Sequence, residues 1–353
     1  MKRPQRLWQA FERIPGLAAV IAEWEALLGP VFTPGKNLLR PNGRTASSYP
    51  CLLPIGCGCA HEVIEHGPDD IVAVCRCEPR RCETIQLLRA DLVIYELNWS
   101  VLGTAAASAL GADLEETEVI DLPMTRRIGT HSPYAGFRFP IYLTIQIEPD
   151  EFRRIVESLV AENEQPFILL APTHELCKPG CEELLKKKKA CFLALADFLV
   201  LEKNGTLSAA RPAEQILAEF REEVIPATEG AASATFFPTP PGARWEHVSI
   251  RFKDGHTVSV KVGSAADVYN YTQMGMVNRK NGDPTVQWDL LKTFADEHCV
   301  LDWSSKKADR KNQKRRENLG ADLRAFFRID GDPFRRTRDR KGWEARFSIS
   351  GEA

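Results

Sequence analysis

Residues 283–349 read DPTVQWDLLKTFADEHCVLDWSSKKADRKNQKRRENLGADLRAFFRIDGDPFRRTRDRKGWEARFSI. The first sixteen of these form an amphipathic helical pattern. Trp288, Leu291 and Phe294 fall on one face with Leu290 beside them, the period of a helix with a core side. Asp283 suits the cap and Pro284 the first helical position. CVLDW (299–303) then reads as a short strand. A long basic helix follows, and its two halves differ in chemistry. The late half places Leu319, Leu323, Phe326 and Phe327 at core spacing, whereas the early half carries Lys306, Lys307, Arg310, Lys311, Lys314, Arg315 and Arg316. PFRRTRDRKGW (333–343) is a basic loop, and in GWEARFSI the alternation of Trp343, Ala345, Phe347 and Ile349 turns one face of a last strand inward.

Helix, strand, basic helix and basic hairpin form the pattern of a winged helix. From Leu301 to Gly342 there are 14 Lys and Arg against 7 Asp and Glu, a local excess of +7, while the whole chain carries −2. Positive charge concentrated in this way points to a local anionic ligand. A helix of this kind meets duplex DNA through its early half, with loop cations on the flanking phosphates. The candidate DNA-binding residues are Lys307, Arg310, Lys311, Asn312, Lys314, Arg315 and Arg316 on the helix, and Arg335, Arg336, Arg338, Arg340 and Lys341 on the wing. Asn312 and Gln313 carry amides able to pair with adenine edges.

Residues 284–349 resemble the winged-helix output domain of response regulators and similar transcription activators. The resemblance lies in the WxLLxxFA helix (288–295), the LxW strand (301–303), LxxxLxxFF (319–327), IDGDPF (329–334) and GWxxxFxI (342–349). It implies duplex DNA bound through the basic helix and wing, often by paired copies, with Arg310, Lys311, Lys314, Arg315 and Arg338 facing the DNA. The chain departs from that pattern in leaving little room for a separate second helix. It also shows no phosphoacceptor receiver domain ahead of this region. The whole chain also resembles uncharacterised bacterial proteins with a ribbon-plus-winged-helix layout.

Six of the ten cysteines lie between Cys51 and Cys82. In a reducing cytoplasm such a cluster reads as metal binding rather than as disulfides. Two turns carry the donors, Cys51, Cys57, Cys59 and His61 in the first and Cys75, Cys77 and Cys82 in the second. A hairpin through HEVIEHGPDDIVAV joins them. This resembles a zinc ribbon, although the pairs are not simple Cys-x2-Cys steps. Four tetrahedral positions on Zn2+ face seven candidates. The expected set is Cys51, Cys59, Cys77 and Cys82, with Cys57, His61 and Cys75 as alternates. Spacing does not separate Cys75 from Cys77, which share a strand face. A set of this kind closes its coordination sphere and is structural.

The expected fold class is α+β and multidomain. It comprises an N-terminal helical segment (1–48), a zinc-ribbon-like module (49–90), a small α/β domain (91–228), a linker (229–243), and a β-hairpin plus winged helix (244–353). Residues 7–28 read as two short helices broken at Pro15-Gly16, and 29–48 as a loop. In the α/β domain, TRRIGTHSPYAGFRFP (125–140) reads as a polar loop, and FPIYLTIQI, QPFILLAPT and CFLALADFLVL supply strands around the helix EPDEFRRIVESLVAE. Some parallel pairing is expected from that order.

Phosphate loops of the GxxxxGK type, GxGxxG, HExxH and GxSxG are absent from the sequence, which removes the common enzymes that such motifs reveal. Weaker alternatives are an anion pocket of Arg126, Arg127 and His131 near Tyr134, and a strand-end site at Thr173, His174 and Glu175. A second metal site could use Cys177 and Cys181 with His174 and Cys191. The residues therefore support a cytoplasmic zinc-containing DNA-binding protein, a transcriptional or mobile-element regulator without catalysis. Two alternatives are a nucleic-acid-processing enzyme using Asp121, Glu148, Asp150 or Glu175, and a protein-interaction scaffold. Self-association or a protein partner accompanies either binding reading. No apolar run is long enough for a membrane span, and no secretory h-region follows the basic N-terminus.

Overall fold

A computed structural model describes residues 3–52, 56–67, 69–225, 236–278, 281–302, 312–338 and 341–351, with the side chains of 3–5 and 312 excepted. The architecture is mixed α/β and multidomain, with several separate sheets. It divides into two compact units. One comprises Met1–His131 and Phe139–Val224, the other Ser132–Arg138 and Ile225–Ala353.

In the first unit the helix Arg3–Phe11 presents Trp8 and Phe11 inward, and Phe11 meets Trp24 edge-on. The run LAAVIAEW does not continue as helix. Ala18–Val20 is a strand, and the helix resumes at Ile21–Leu28. The reason is the partner: Ala18–Val20 pairs antiparallel with Val93–Leu97, which also pairs with Leu39–Thr45 inside the expected loop. Ladder hydrogen bonds supplied from 74 to 78 residues away outweigh a weak local helical period.

A five-stranded sheet forms the centre of this unit. Its order is Cys191–Ala194, Ile168–Ala171, Phe139–Thr144, Thr125–His131 and Asp113–Glu118. The first three strands run parallel and the last two are antiparallel to their neighbours. The helix Pro149–Glu162 makes the crossover between parallel strands and buries Phe152, Ile155, Val156 and Leu159. The polar stretch from Thr125 is thus an interior strand rather than a loop. Its charges are met across the sheet. Arg126 pairs with Glu116 at 2.7 Å and Glu118 at 3.0 Å, and Arg127 with Glu115 at 3.0 Å.

The second unit is built on a four-stranded sheet ordered Ala265–Asn270, Thr257–Val262, Val248–Phe252 and Ser348–Ser350. Alternation buries Val248, Ile250, Phe252, Val258, Val260 and Val262 against the helices Val286–Asp296 and Asn312–Phe327. A three-stranded sheet ordered Val300–Asp302, Gly342–Ala345 and Phe334–Arg336 accompanies them. The stretch Trp343–Ile349 is therefore two strands in two sheets. Gly342–Ala345 pairs with Val300–Asp302 and Phe334–Arg336, and Ser348–Ser350 runs parallel to Val248–Phe252.

Candidate metal centre

The metal candidates collect at one end of a four-stranded antiparallel sheet. Its strands are Ser48–Tyr49, His61–Gly67, Asp70–Val74 and Ile85–Leu87, in that order. Cys51 follows the first strand, and Cys57 and Cys59 lie in the turn before His61. Cys75 and Cys77 leave the third strand, and Cys82 precedes the fourth. Antiparallel pairing brings chain ends of alternating direction to the same edge, so donors up to 31 residues apart become neighbours.

Two groups result. Cys51, Cys57, His61 and Cys82 offer donor atoms that all lie within 4.8 Å of one another, and so do Cys57, Cys75 and Cys77. The Cys51 and Cys82 sulfurs are 3.6 Å apart, Cys57 Sγ is 3.6 Å from His61 Nε2, and Cys75 Sγ is 3.7 Å from Cys57 Sγ. Ligands about 2.3 Å from a tetrahedral zinc sit at about 3.8 Å from each other, so these separations fit the edges of a coordination tetrahedron. His61 is fully buried, with Nε2 turned to Cys57. Its Nδ1 has no hydrogen-bond partner, although a ligating imidazole ordinarily gives its second N–H to an acceptor.

Backbone donors support the sulfurs. The Cys57 N–H donates to Cys82 Sγ at 3.3 Å. The backbone N–H groups of Cys77 and Arg81 hold the Cys75 thiol down to about 6. Cys77 is pushed up to about 12 by its side-chain contacts with Cys59, Cys75 and Cys57. The Cys57 N–H draws Cys82 downward, but burial and the neighbouring Cys57 and Cys51 thiols together leave it at about 12. Sulfurs this crowded repel one another as thiolates, and a bound cation reverses that balance.

The structure thus brings Cys51 and Cys82 together and adds Cys57 and His61 to them. Cys59 is exposed and belongs to neither mutual group, and its Sγ lies 3.7 Å from the Cys57 carbonyl. Cys77 lies in the second group rather than beside Cys51 and Cys82. The sequence signal for Cys57 was weak because its donor role rests on contacts with residues four, 18 and 25 positions away.

Cys177 and Cys181 lie in an apolar cluster with Phe152, Ile155 and Leu185. Burial pushes Cys177 and Cys191 up to about 12 and raises Cys181. Among the described residues none of the three joins a group of three or more metal donors, nor do Asp121, Glu148, Asp150 and Glu175. His174 Nε2 pairs with Asp197 at 2.6 Å on the surface. Thr173 donates both its N–H, at 3.1 Å, and its hydroxyl, at 2.6 Å, to the carboxylate of buried Glu12. His131 is buried, and desolvation, with repulsion from Arg221 second, brings it down to about 4.

The cations of the C-terminal unit divide between surface and interior. Gln313 and Lys314 are exposed near the start of the Asn312–Phe327 helix, and Lys314 lies 3.5 Å from Glu317. Arg315 is half-buried and Arg338 exposed. Arg316 is buried instead of facing outward: its guanidinium pairs with Asp332 at 2.6 Å and lies 4.0 Å from the Trp343 ring centroid. Arg335 meets Glu344 through two hydrogen bonds of 2.9 Å, and Arg336 stacks on Trp343 at 4.3 Å. Lys341 is exposed. Lys307, Arg310, Lys311 and Arg340, and the side chain of Asn312, lie outside the described residues.

Among the described residues no helix is long and apolar enough to cross a membrane. Comparison with known proteins finds no matching family model, no matching curated protein and no matching solved structure.

Proposed function

We propose that the chain is a zinc-stabilised protein whose C-terminal unit binds duplex DNA as a winged helix, in the manner of a regulator. The observation that carries this reading is the order of the small sheet. The strand after the first helix (Val300–Asp302) pairs with the second strand of the hairpin (Gly342–Ala345), whose other neighbour is Phe334–Arg336. Strand, helix and hairpin then frame the Asn312–Phe327 helix, with Leu319, Leu323, Phe326 and Phe327 buried and Gln313 and Lys314 exposed at its start. That is the polarity a groove-reading helix needs: an apolar anchor behind and a polar, cationic N-terminal part in front. The hairpin adds Arg338 and Lys341 as exposed cations on its loop, the cations the wing would use on this reading. The cysteine module holds Zn2+ as a structural ion, because thiolates and a buried imidazole that fill all four positions leave none for a reacting water.

Fluorescence anisotropy with labelled duplex fragments, at salt from about 50 to 200 mM, tests the reading. A protein neutralising several phosphates loses affinity linearly in log salt, with a slope of about 0.9 per contact. Replacing Lys314 and Arg315 together by Ala should shallow that slope by about two and leave the fold in place. Arg316 is excluded from this test because of its buried pairing with Asp332. Absence of salt-sensitive binding rejects the DNA reading. It would favour the protein-partner alternative, with which the engagement of Arg316, Arg335 and Arg336 inside the unit agrees.

A further inference from the structure

The two donor groups share one residue. Cys57 belongs both to the set with Cys51, His61 and Cys82 and to the set with Cys75 and Cys77. Its sulfur lies 3.6 Å from His61 Nε2 and 3.7 Å from Cys75 Sγ. One tetrahedral ion cannot use both sets, because six donors exceed its four positions. The first set already has four donors and closes one ion. The second set has three, and Cys59, two residues from Cys57, is the remaining thiol of the module. Cys57 and Cys59 also lean on each other's backbone, with Cys57 Sγ 3.9 Å from the Cys59 carbonyl and Cys59 Sγ 3.7 Å from that of Cys57.

From this juxtaposition we infer that the module holds two divalent ions joined by the Cys57 thiolate. The first is held by Cys51, Cys57, His61 and Cys82, and the second by Cys57, Cys59, Cys75 and Cys77. The donor count closes. Two tetrahedra need eight positions, and the six donors of the two sets together with Cys59 fill them when one sulfur serves twice. A thiolate has lone pairs enough to bridge, whereas an imidazole nitrogen has one, so the shared donor must be a cysteine. The seven candidates are then not competitors for four places, and Cys59 gains a role despite its exposure.

The module also needs the ions. Its own buried apolar core is Ile71, Ala73, Leu87 and Leu92, far less than a free-standing sheet requires. The inference rests on the structural-metal reading proposed above, and the experiment separates the two. The whole chain is saturated with zinc, freed of loosely bound metal, and weighed by native mass spectrometry. Two zinc ions per chain are expected. One ion overturns the shared site while leaving the structural zinc in place, and none overturns both.

The bridge itself is read in protein loaded with cadmium-113. Two cadmium resonances that split each other through the common sulfur are expected, and two unsplit resonances overturn the bridge. Cys59→Ser, at the exposed edge, should lower the zinc count to one and keep the fold. Two ions retained in that variant remove Cys59 from the second site.

Discussion

Replacing Arg316 by Ala should destabilise the C-terminal unit by about 2–3 kcal/mol. The guanidinium donates to Asp332 at 2.6 Å. Because Asp332 is about half exposed, its side chain at 47%, solvent screens the pair, and it contributes about 1 kcal/mol. Stacking over Trp343 at 4.0 Å adds about 1 kcal/mol. The buried stem of Arg316 covers apolar surface that Ala would leave uncovered, about another 1 kcal/mol. These contributions overlap, and 2–3 kcal/mol corresponds to a roughly 30- to 150-fold change in the folding equilibrium. The assay is urea unfolding followed by tryptophan fluorescence, urea being chosen because it does not screen the ion pair. Arg316→Lys keeps the charge without the planar group, so it should recover the Asp332 contribution but not the stacking, about half of the loss. An unchanged urea midpoint in Arg316→Ala together with loss of DNA affinity would refute the reasoning, because it would place the guanidinium on the ligand rather than between helix and hairpin.

Removal of metal with a strong chelator should expose the amides of residues 61–87 to hydrogen exchange while the C-terminal unit stays protected, since the module's own apolar core is small. His131 should make the first unit acid-sensitive. Its folded value of about 4 lies below the ordinary 6.5, so the unfolded chain binds the proton first. Stability is then lost as pH falls from about 6.5 towards 4, by up to about 3 kcal/mol. His131→Phe should flatten that part of the stability profile in urea titrations at several pH values. Thr173→Val should cost the first unit about 2 kcal/mol in the same assay, because it strips the hydroxyl from the Glu12 carboxylate and leaves a buried acceptor partly unsatisfied. Full retention of stability in that variant would show that Glu12 is not held by this contact.

Elements whose pattern is local were legible. Leu319, Leu323, Phe326 and Phe327 repeat at helical spacing and are buried, and the alternation from Val248 to Val262 marks a hairpin whatever else surrounds it. The cysteine cluster declares its chemistry by residue type, since thiols at such density suit a metal. Tertiary structure decided the rest, wherever a distant partner outweighed the local signal. Thr125–His131 became a strand because it is held between Asp113–Glu118 and Phe139–Thr144, with Glu115, Glu116 and Glu118 facing Arg126 and Arg127. Ala18–Val20 left its helix for hydrogen bonds from Val93–Leu97. Arg316 looked like its basic neighbours and was buried because Asp332 and Trp343 fold back over it. The grouping of Cys57 with both sets of donors follows from an antiparallel sheet that brings two turns to one edge. Residue type and period are properties of a short segment and survive in the sequence. Coordination partners and ion pairs are properties of distance in space, which only the closed fold sets.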